Sequence, residues 1–162
     1  MKTLSIILVI FSFSTVVSAQ LIQKEDGKLY NQTGNLYSGT YIEYYPSGNK
    51  RIEMSITDGQ KNGKTCLYFD NLKTKEVRSF SFDLMDGVWK TFNENGIKIG
   101  EAGYKNGIKH GRWLVWDDNG VLRYEMEYAN GEKTGLWSIW DTEGKLVQQK
   151  SYSTIKIENP KQ

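Results

Sequence analysis

The sequence is poor in the residues that build disulfides, metal centres and catalytic sites. It has one cysteine, Cys66, and one histidine, His110, among 162 residues. One cysteine cannot form an internal disulfide, so packing alone must hold the chain together. A structural zinc ion needs several Cys or His ligands, and a thiol nucleophile needs a histidine as its base. The sequence therefore predicts no metal site, no cofactor and no catalytic cysteine.

Net charge and long apolar runs are scarce as well. The formal charge is +2 over the whole chain, too small for the electrostatic footprint of a nucleic-acid-binding protein. The apolar stretch from Leu4 to Val17 follows Lys2 and ends in small residues before Gln20, a pattern typical of a secretory signal peptide. At about 14 residues it is shorter than the ~20 that span a bilayer. We therefore expect residues 1–19 to be removed and the mature chain to be exported to the periplasm or the extracellular space.

What the sequence does contain is a repeat of 24 residues. A glycine opens each unit, an aromatic residue lies five places later, and a large apolar residue lies seventeen places later. Self-similarity at this period is typical of repeat architectures. The five units are 39–62, 63–86, 87–110, 111–134 and 135–158. Their opening residues, the unit glycines, are Gly39, Gly63, Gly87, Gly111 and Gly135.

Each unit holds two turn signals, best seen in the fourth unit. Residues 117–120 (Asp-Asp-Asn-Gly) have the preferences of a type I turn closed by a glycine with positive φ. Residues 130–131 (Asn-Gly) form the dipeptide that favours a type I′ hairpin turn. Residues 122–128 alternate apolar and charged side chains, as a half-buried strand does. Two strands and two tight turns fill each unit, so the predicted fold is all-β, an elongated antiparallel meander of tandem β-hairpins.

The two ends and the second unit depart from the pattern. Residues 20–38 are expected to form atypical entry strands that cap the stack, and residues 159–162 a frayed tail. In the second unit Thr65 replaces the aromatic residue found two places after the other unit glycines, and Leu72 replaces a turn glycine. We expect this unit either to bend the sheet or to carry a looser loop at residues 71–75.

Aromatic residues recur two, five and seventeen places after the unit glycines, so rings at one position should lie above one another in successive hairpins. A single sheet buries little surface, and each ring covers about 150–250 Å². The rings must therefore supply the core. We also expect the unit glycines to leave room for a neighbouring ring to lie across the backbone. The second position tolerates Thr65, so its rings are expected to be partly open to a ligand.

The recurring Gly-x-Trp-x-x-Trp pattern and residues 104–111 (Tyr-Lys-Asn-Gly-Ile-Lys-His-Gly) resemble MORN repeats. More closely, they resemble the bacterial variant found in antitoxin-like immunity partners of secreted toxins. The resemblance covers about residues 39–152. It implies a non-enzymatic binding module, since MORN proteins include lipid-associated members, scaffolds and apparent toxin partners. With a signal peptide, an antitoxin role would be exercised outside the cytoplasm.

Two groups of residues are candidates for a binding site. One is an aromatic surface, because exposed aromatic patches mark binding surfaces. Its members are Tyr41, Trp89, Trp113 and Trp137. The other is a basic turn suited to an anionic ligand, although an ordinary charged turn has the same composition. Its members are Lys105, Lys109, His110 and Arg112.

No catalytic residue is predicted. Glu53, Glu101 and Glu125 lie fourteen places after their unit glycines, and paired carboxylates can serve as acid and base in glycoside hydrolysis. Here the glutamates recur because the repeat recurs, which indicates a solvated strand face. The sequence therefore favours a protein-binding module, with a secreted toxin or a second copy of the chain as partner. The alternative is binding to lipid head groups or glycans of the cell envelope.

Overall fold

The computed structural model describes residues 21–152, which form thirteen β-strands. None of these residues lies in a helix of the length and apolarity needed to cross a membrane. The strands are β1 (Ile22–Gln23), β2 (Leu29–Tyr30), β3 (Gly39–Tyr44), β4 (Lys50–Thr57), β5 (Gln60–Tyr68), β6 (Thr74–Ser81), β7 (Leu84–Met85), β8 (Gly87–Phe92), β9 (Lys98–Lys105), β10 (Ile108–Trp116), β11 (Leu122–Ala129), β12 (Glu132–Trp140) and β13 (Leu146–Tyr152). The expected leader at 1–19 and tail at 159–162 lie outside the described residues, as does the end of the fifth unit.

Eleven of the strands form one antiparallel sheet in which each hairpin is hydrogen-bonded to the next. The order runs from β13 through β12, β11, β10, β9, β8, β6, β5 and β4 to β3, and the short β7 pairs with β6 beside β8. Strands β1 and β2 form a separate two-stranded sheet. The predicted all-β meander of tandem hairpins is confirmed.

The second turn of each of the first four units has type I′ geometry, which requires positive φ at both central residues. In the fourth unit these are Asn130 at 50° and Gly131 at 88°. In the second unit the pair is Phe82 at 45° and Asp83 at 67°. The hairpin therefore survives there without a glycine, in a conformation that costs most residues about 1–2 kcal/mol.

The first turn also keeps its geometry in the second unit. In the fourth unit the Asp117 carboxylate accepts hydrogen bonds from the amides of Asn119 and Val121, both at 3.0 Å, and Gly120 takes φ 84°. In the second unit Leu72 occupies the place of that glycine with φ 66°. Its amide still donates to the carbonyl at the start of the turn, at 3.0 Å. The looser loop expected here is wrong, because the hydrogen bonds of the turn hold Leu72 in the left-handed region.

Three of the unit glycines, Gly63, Gly111 and Gly135, lie where the strand register shifts at a β-bulge. The register between β9 and β10 shifts between Lys109 and Trp113, and Gly111 between them takes φ 79°. Glycine at positive φ is a common bulge residue. A Cβ on Gly63 or Gly87 would meet a serine side chain, and one on Gly111 would meet nothing within 4 Å. The expectation of a ring across the backbone is therefore wrong at Gly63, Gly87 and Gly111, where glycine allows the positive φ. At Gly39 it holds, because a Cβ there would meet the ring of Tyr37, 3.4 Å from Cζ.

The core is thin, because one layer of strands cannot enclose side chains. Among residues 21–152 no large side chain is fully buried, and the best covered apolar residues are Ile56, 3% exposed, and Leu114, 8% exposed. Most rings are half-buried. Stability must therefore come from contacts between rings of neighbouring strands and from the hydrogen bonds of the sheet.

The entry segment covers one end of the first hairpins. The amide of Leu29 donates to the carbonyl of Gly59 at 2.9 Å, and the amide of Gly59 donates to the carbonyl of Tyr37 at 2.8 Å. Gly59 is buried as a result. Residues 21–38 thus cover the turn that joins β4 to β5.

Thr65→Val is expected to raise the free energy of unfolding by about 1 kcal/mol. Thr65 is 6% exposed, and its Oγ1 is buried with no hydrogen-bond partner. Replacing an unpaired buried hydroxyl by a methyl group of the same shape removes a desolvation penalty. Urea denaturation followed by circular dichroism measures the change. As the control, Ser138→Ala should lower stability, because the buried Ser138 hydroxyl accepts a hydrogen bond from Gln149 at 3.1 Å. A Thr65→Val chain that is less stable than the parent would contradict the prediction.

Candidate functional site

The strand register gives the sheet two distinct faces. Trp113 lies directly opposite Ala102 on β9 and Met126 on β11, so these three side chains share one face. We call this the aromatic face. The next residue, Leu114, lies opposite Glu101 and Glu125 and points the other way. That side is the opposite face.

A continuous ladder of rings runs along the aromatic face. Successive ring centroids are 4.8–5.4 Å apart, and successive planes are tilted by 50–62°. Such tilted arrangements suit the quadrupoles of neighbouring rings. In order along the sheet, the ladder is Phe80, Trp89, Tyr104, Trp113, Tyr128, Trp137 and Tyr152. Rings two and seventeen places after the unit glycines therefore alternate in one ladder and do not form two separate stacks.

The tryptophans of the ladder are fixed by hydrogen bonds to backbone carbonyls. Nε1 of Trp89 donates to the carbonyl of Ser79 at 2.9 Å, and Nε1 of Trp113 donates to that of Gly103 at 2.9 Å. Nε1 of Trp137 makes the same bond to Glu127 at 3.1 Å. In each case the acceptor precedes the tryptophan by ten residues. Gly103 and Glu127 also lie where the strand register shifts. Side-chain identity does not predict this role, because the acceptors are backbone carbonyls; the constant ten-residue spacing is the signal that indicates it.

Three lysines lie over the rings of the C-terminal half. Nζ of Lys109 is 4.3 Å from the ring centre of Trp113 and 4.9 Å from that of Tyr128. Lys133 takes the equivalent place in the next hairpin, 4.5 Å from Trp137. Lys150 lies 5.1 Å from the ring of Tyr152. We call these three side chains the lysine row.

The lysine row is not neutralised. Within residues 21–152 none of its three members makes an ion pair. The register also places no acidic residue on the aromatic face between β8 and β13. Burial raises the pKa of the Tyr104 phenol, an effect that Arg78 partly opposes, so that ring stays neutral at physiological pH. The C-terminal half of this face is therefore basic and aromatic, with no negative charge.

The opposite face carries paired charges instead. Lys50 contacts Glu53 at 2.6 Å, and Lys98 contacts Glu101 at 2.8 Å. Arg112 contacts Glu125 at 2.7 Å. Each recurring glutamate thus has a cation beside it on the sheet surface. No set of three His, Cys, Asp or Glu side chains in the described part of the chain is placed to hold a metal ion.

The predicted basic turn is divided between the two faces. Lys109 lies over the rings of the aromatic face, whereas Arg112 pairs with Glu125 on the opposite face. His110 accepts a hydrogen bond at Nδ1 from a backbone amide, at 3.5 Å. Lys105 is exposed at the end of β9. The four residues are near one another in sequence, but the structure does not bring them together as one anion-binding cluster.

The predicted aromatic surface is brought together in part. Trp89, Trp113 and Trp137 are half-buried in the ladder. Tyr41 lies on the same face, opposite Met54, but Thr65 interrupts the line of rings between it and the ladder. The ladder rings therefore stabilise the sheet by packing against one another and also form part of its exposed surface.

A shallow groove lies at the C-terminal end of the aromatic face. Its volume is ≈ 310 Å³. Apolar and aromatic side chains line most of it, with Gln148 and Lys150 at the rim. The main lining residues are Tyr124, Met126, Trp137, Ile139 and Tyr152. The groove adds an apolar recess beside the lysine row, in the size range of small-ligand sites.

A comparison with protein families gives one match. A family model described as a MORN repeat variant matches residues 37–58, 85–106, 109–130 and 133–153. These segments follow the hairpins of the sheet and leave out the stretch that contains most of the second unit. No curated protein matches the chain.

Proposed function

Because the chain belongs to the MORN repeat variant family, we propose that it is an exported, non-enzymatic binding module whose aromatic face takes a protein partner. MORN repeats are generally binding repeats, for proteins or for membranes. The meander supplies a rigid sheet, and the variable side chains on it supply recognition.

One observation carries the proposal: the C-terminal half of the aromatic face combines a ring ladder with an unpaired lysine row. Trp and Tyr are the residues that most often dominate binding energy at protein interfaces. Exposed apolar side chains extend the surface beyond the ladder, with Val115 38% exposed and Tyr124 42% exposed. On the opposite face Lys50, Lys98 and Arg112 are paired with glutamates, and among residues 21–152 that face has no comparable run of rings in contact. The aromatic face is therefore the side suited to a partner.

If residues 1–19 act as the expected leader, the proposed interaction takes place outside the cytoplasm. A chain of antitoxin-like repeats in that location would meet a secreted toxin or another copy of itself. Among these partners a toxin with an acidic surface would match the lysine row by charge. Charge complementarity of this kind raises the association rate and excludes basic competitors.

A second function, binding to the cell envelope, is favoured by the same lysine row. Unpaired cations attract anionic lipid head groups, each contributing about 1 kcal/mol near a membrane surface. Glycan rings could stack on the exposed parts of the ladder. This candidate differs from the first in its ligand, so one experiment with two arms separates them.

Replacing Val115 and Tyr124 by serine should reduce capture of a protein partner by at least about tenfold, as loss of central interface contacts does. The chain without residues 1–19 is used as bait in envelope extract, and captured protein is quantified by mass spectrometry. The matched control replaces Val88 and Leu136 by serine. These two residues are 49% and 50% exposed on the opposite face and should change capture less than about twofold.

Circular dichroism and thermal melting confirm that both variants are folded. Equal losses for the two pairs would contradict the assignment of the aromatic face. Anionic vesicles and envelope glycans are assayed in parallel. Binding to one of these, without a captured protein, would replace the protein-partner function by the envelope function.

A further inference from the structure

We propose that the partner segment bound by the aromatic face is an acidic polyproline II strand, with a carboxylate at every third residue. This inference rests on the proposed protein-binding function and specifies the chemistry of the partner. It depends on three features of the described residues: the alternation of cations and rings, the spacing of the repeat, and the absence of acidic residues from β8 to β13 on this face.

In the C-terminal half of the ladder, ring pairs bridged by one lysine alternate with a pair that no lysine bridges. Lys109 lies over both Trp113 and Tyr128, the two rings of one hairpin. Lys133 lies over both Trp137 and Tyr152, the rings of the next hairpin. Between these lysine positions, Tyr128 and Trp137 stand 5.2 Å apart at a tilt of 57°. No lysine of the described chain spans that pair. A ligand crossing the strands would meet a cation, then a notch between two rings, then a cation again.

The spacing of this alternation selects the ligand backbone. One repeat advances the sheet by two strands, which is about 10 Å. A polyproline II helix rises about 9 Å per turn of three residues, so its every third side chain returns to the same side at nearly this interval. In an extended β-strand every second side chain lies on the same side, at intervals of about 7 Å. Its side chains would therefore fall out of step with the lysines after one repeat. A polyproline II segment of about two turns therefore fits two lysines and the notch between them.

The side-chain chemistry follows from the contacts. Lys109 and Lys133 have no carboxylate partner among residues 21–152, so an incoming Asp or Glu would supply a charge-assisted contact. Proline rings of polyproline II ligands commonly dock on aromatic surfaces, and the tilted pair Tyr128–Trp137 presents two ring surfaces to one pyrrolidine. The expected repeat in the ligand is thus one acidic residue followed by two positions rich in proline.

A linear ligand fits this surface better than a flat one does. Strands in a sheet rotate by about 20–25° relative to one another, so successive members of the lysine row point in different directions. A planar bilayer would meet only part of the row, whereas a short peptide can follow the twist. A linear acidic polysaccharide is the competing ligand, and it is included in the test.

The test uses a synthetic peptide of four Glu-Pro-Pro repeats and the chain without residues 1–19, measured by isothermal titration calorimetry. Two control peptides carry four Glu-Gly-Ser repeats, which keep the charge without the stiff backbone, and four Gln-Pro-Pro repeats, which keep the backbone without the charge. We expect the Glu-Pro-Pro peptide to bind at least about tenfold more tightly than either control, since both preorganisation and charge are required.

Protein variants locate the site. Lys109→Gln with Lys133→Gln should weaken binding of the Glu-Pro-Pro peptide by at least about tenfold. Lys64→Gln with Lys90→Gln changes the net charge equally at two exposed lysines of the opposite face, and should change binding less than about twofold. Thermal melting shows that both variants remain folded.

Several outcomes would overturn the inference. Equal affinity for the Glu-Pro-Pro and Glu-Gly-Ser peptides would mean that charge alone determines binding and that the polyproline II backbone is not selected. Binding of polygalacturonate or of phosphatidylglycerol vesicles, with no peptide bound, would assign the face to another class of ligand. A captured protein that depends on the aromatic face but is not displaced by the Glu-Pro-Pro peptide would refute this inference alone. Capture that is insensitive to the aromatic face would refute the proposed function itself.

Discussion

Trp113→Ala should lower the free energy of unfolding by about 3–5 kcal/mol, the usual cost of truncating a large packed ring. Trp113 contacts Tyr104 and Tyr128, with ring centres at 5.2 and 5.4 Å. The substitution divides the ladder at its middle. It also leaves the Gly103 carbonyl at the bulge without its indole donor. Chemical denaturation followed by far-ultraviolet circular dichroism measures the effect.

Trp113→Phe separates the two contributions of this residue. Phenylalanine keeps a ring between its neighbours but cannot donate to the Gly103 carbonyl, so we expect a loss of about 1–2 kcal/mol. An unchanged denaturation midpoint for Trp113→Ala would mean that the ladder does not stabilise the sheet. Trp113 would then have the role expected from the sequence, that of a ring partly open to a ligand.

The second large effect is expected at Gly111. Gly111→Val should cost about 2–3 kcal/mol, because a β-branched residue is strained at φ 79°. A Cβ at this position would meet nothing within 4 Å, so crowding at Cβ does not account for the loss, and Gly111→Ala isolates the cost of the backbone conformation. The same denaturation experiment gives its size.

A graded series tests the cause at Gly111. Asn tolerates the left-handed region better than Ala, and Ala better than Val. The cost should therefore rise in the order Asn, Ala, Val. Equal costs for the three variants would show that positive φ is not what selects glycine at the bulge.

The architecture could be predicted from the sequence because its determinants are local. The turn at Asn130 and Gly131 depends on the preference of these two residues for positive φ. The strands between the turns are recognised from alternation alone. The looser loop around Leu72 was predicted wrongly, because the loss of one glycine was given more weight than the hydrogen bonds that close the turn.

The candidate site was predicted less well, because it depends on the bulge. A strand without a bulge has a simple alternation of faces, but the register shift at Gly111 changes which neighbours Lys109 and Trp113 meet. The shift sets Lys109 opposite Tyr104, from where it lies over two rings. Arg112 lies on the opposite face by simple alternation along the strand and pairs with Glu125. Proximity in sequence placed Lys109 and Arg112 in one cluster, and the geometry of the sheet separates them. The Trp113 indole bond to Gly103 depends on the same shift.

The pairing of each hairpin with its sequence neighbours has a consequence for how the chain folds. Since the sheet is built almost entirely from strands that are consecutive in the chain, closing each contact requires only a short loop, and the entropy lost per step is small. Chains with such low contact order fold fast. Folding can start at any hairpin and extend in both directions. A chain that crosses a membrane unfolded, as export would require, could therefore complete its first hairpins while the last were still in transit.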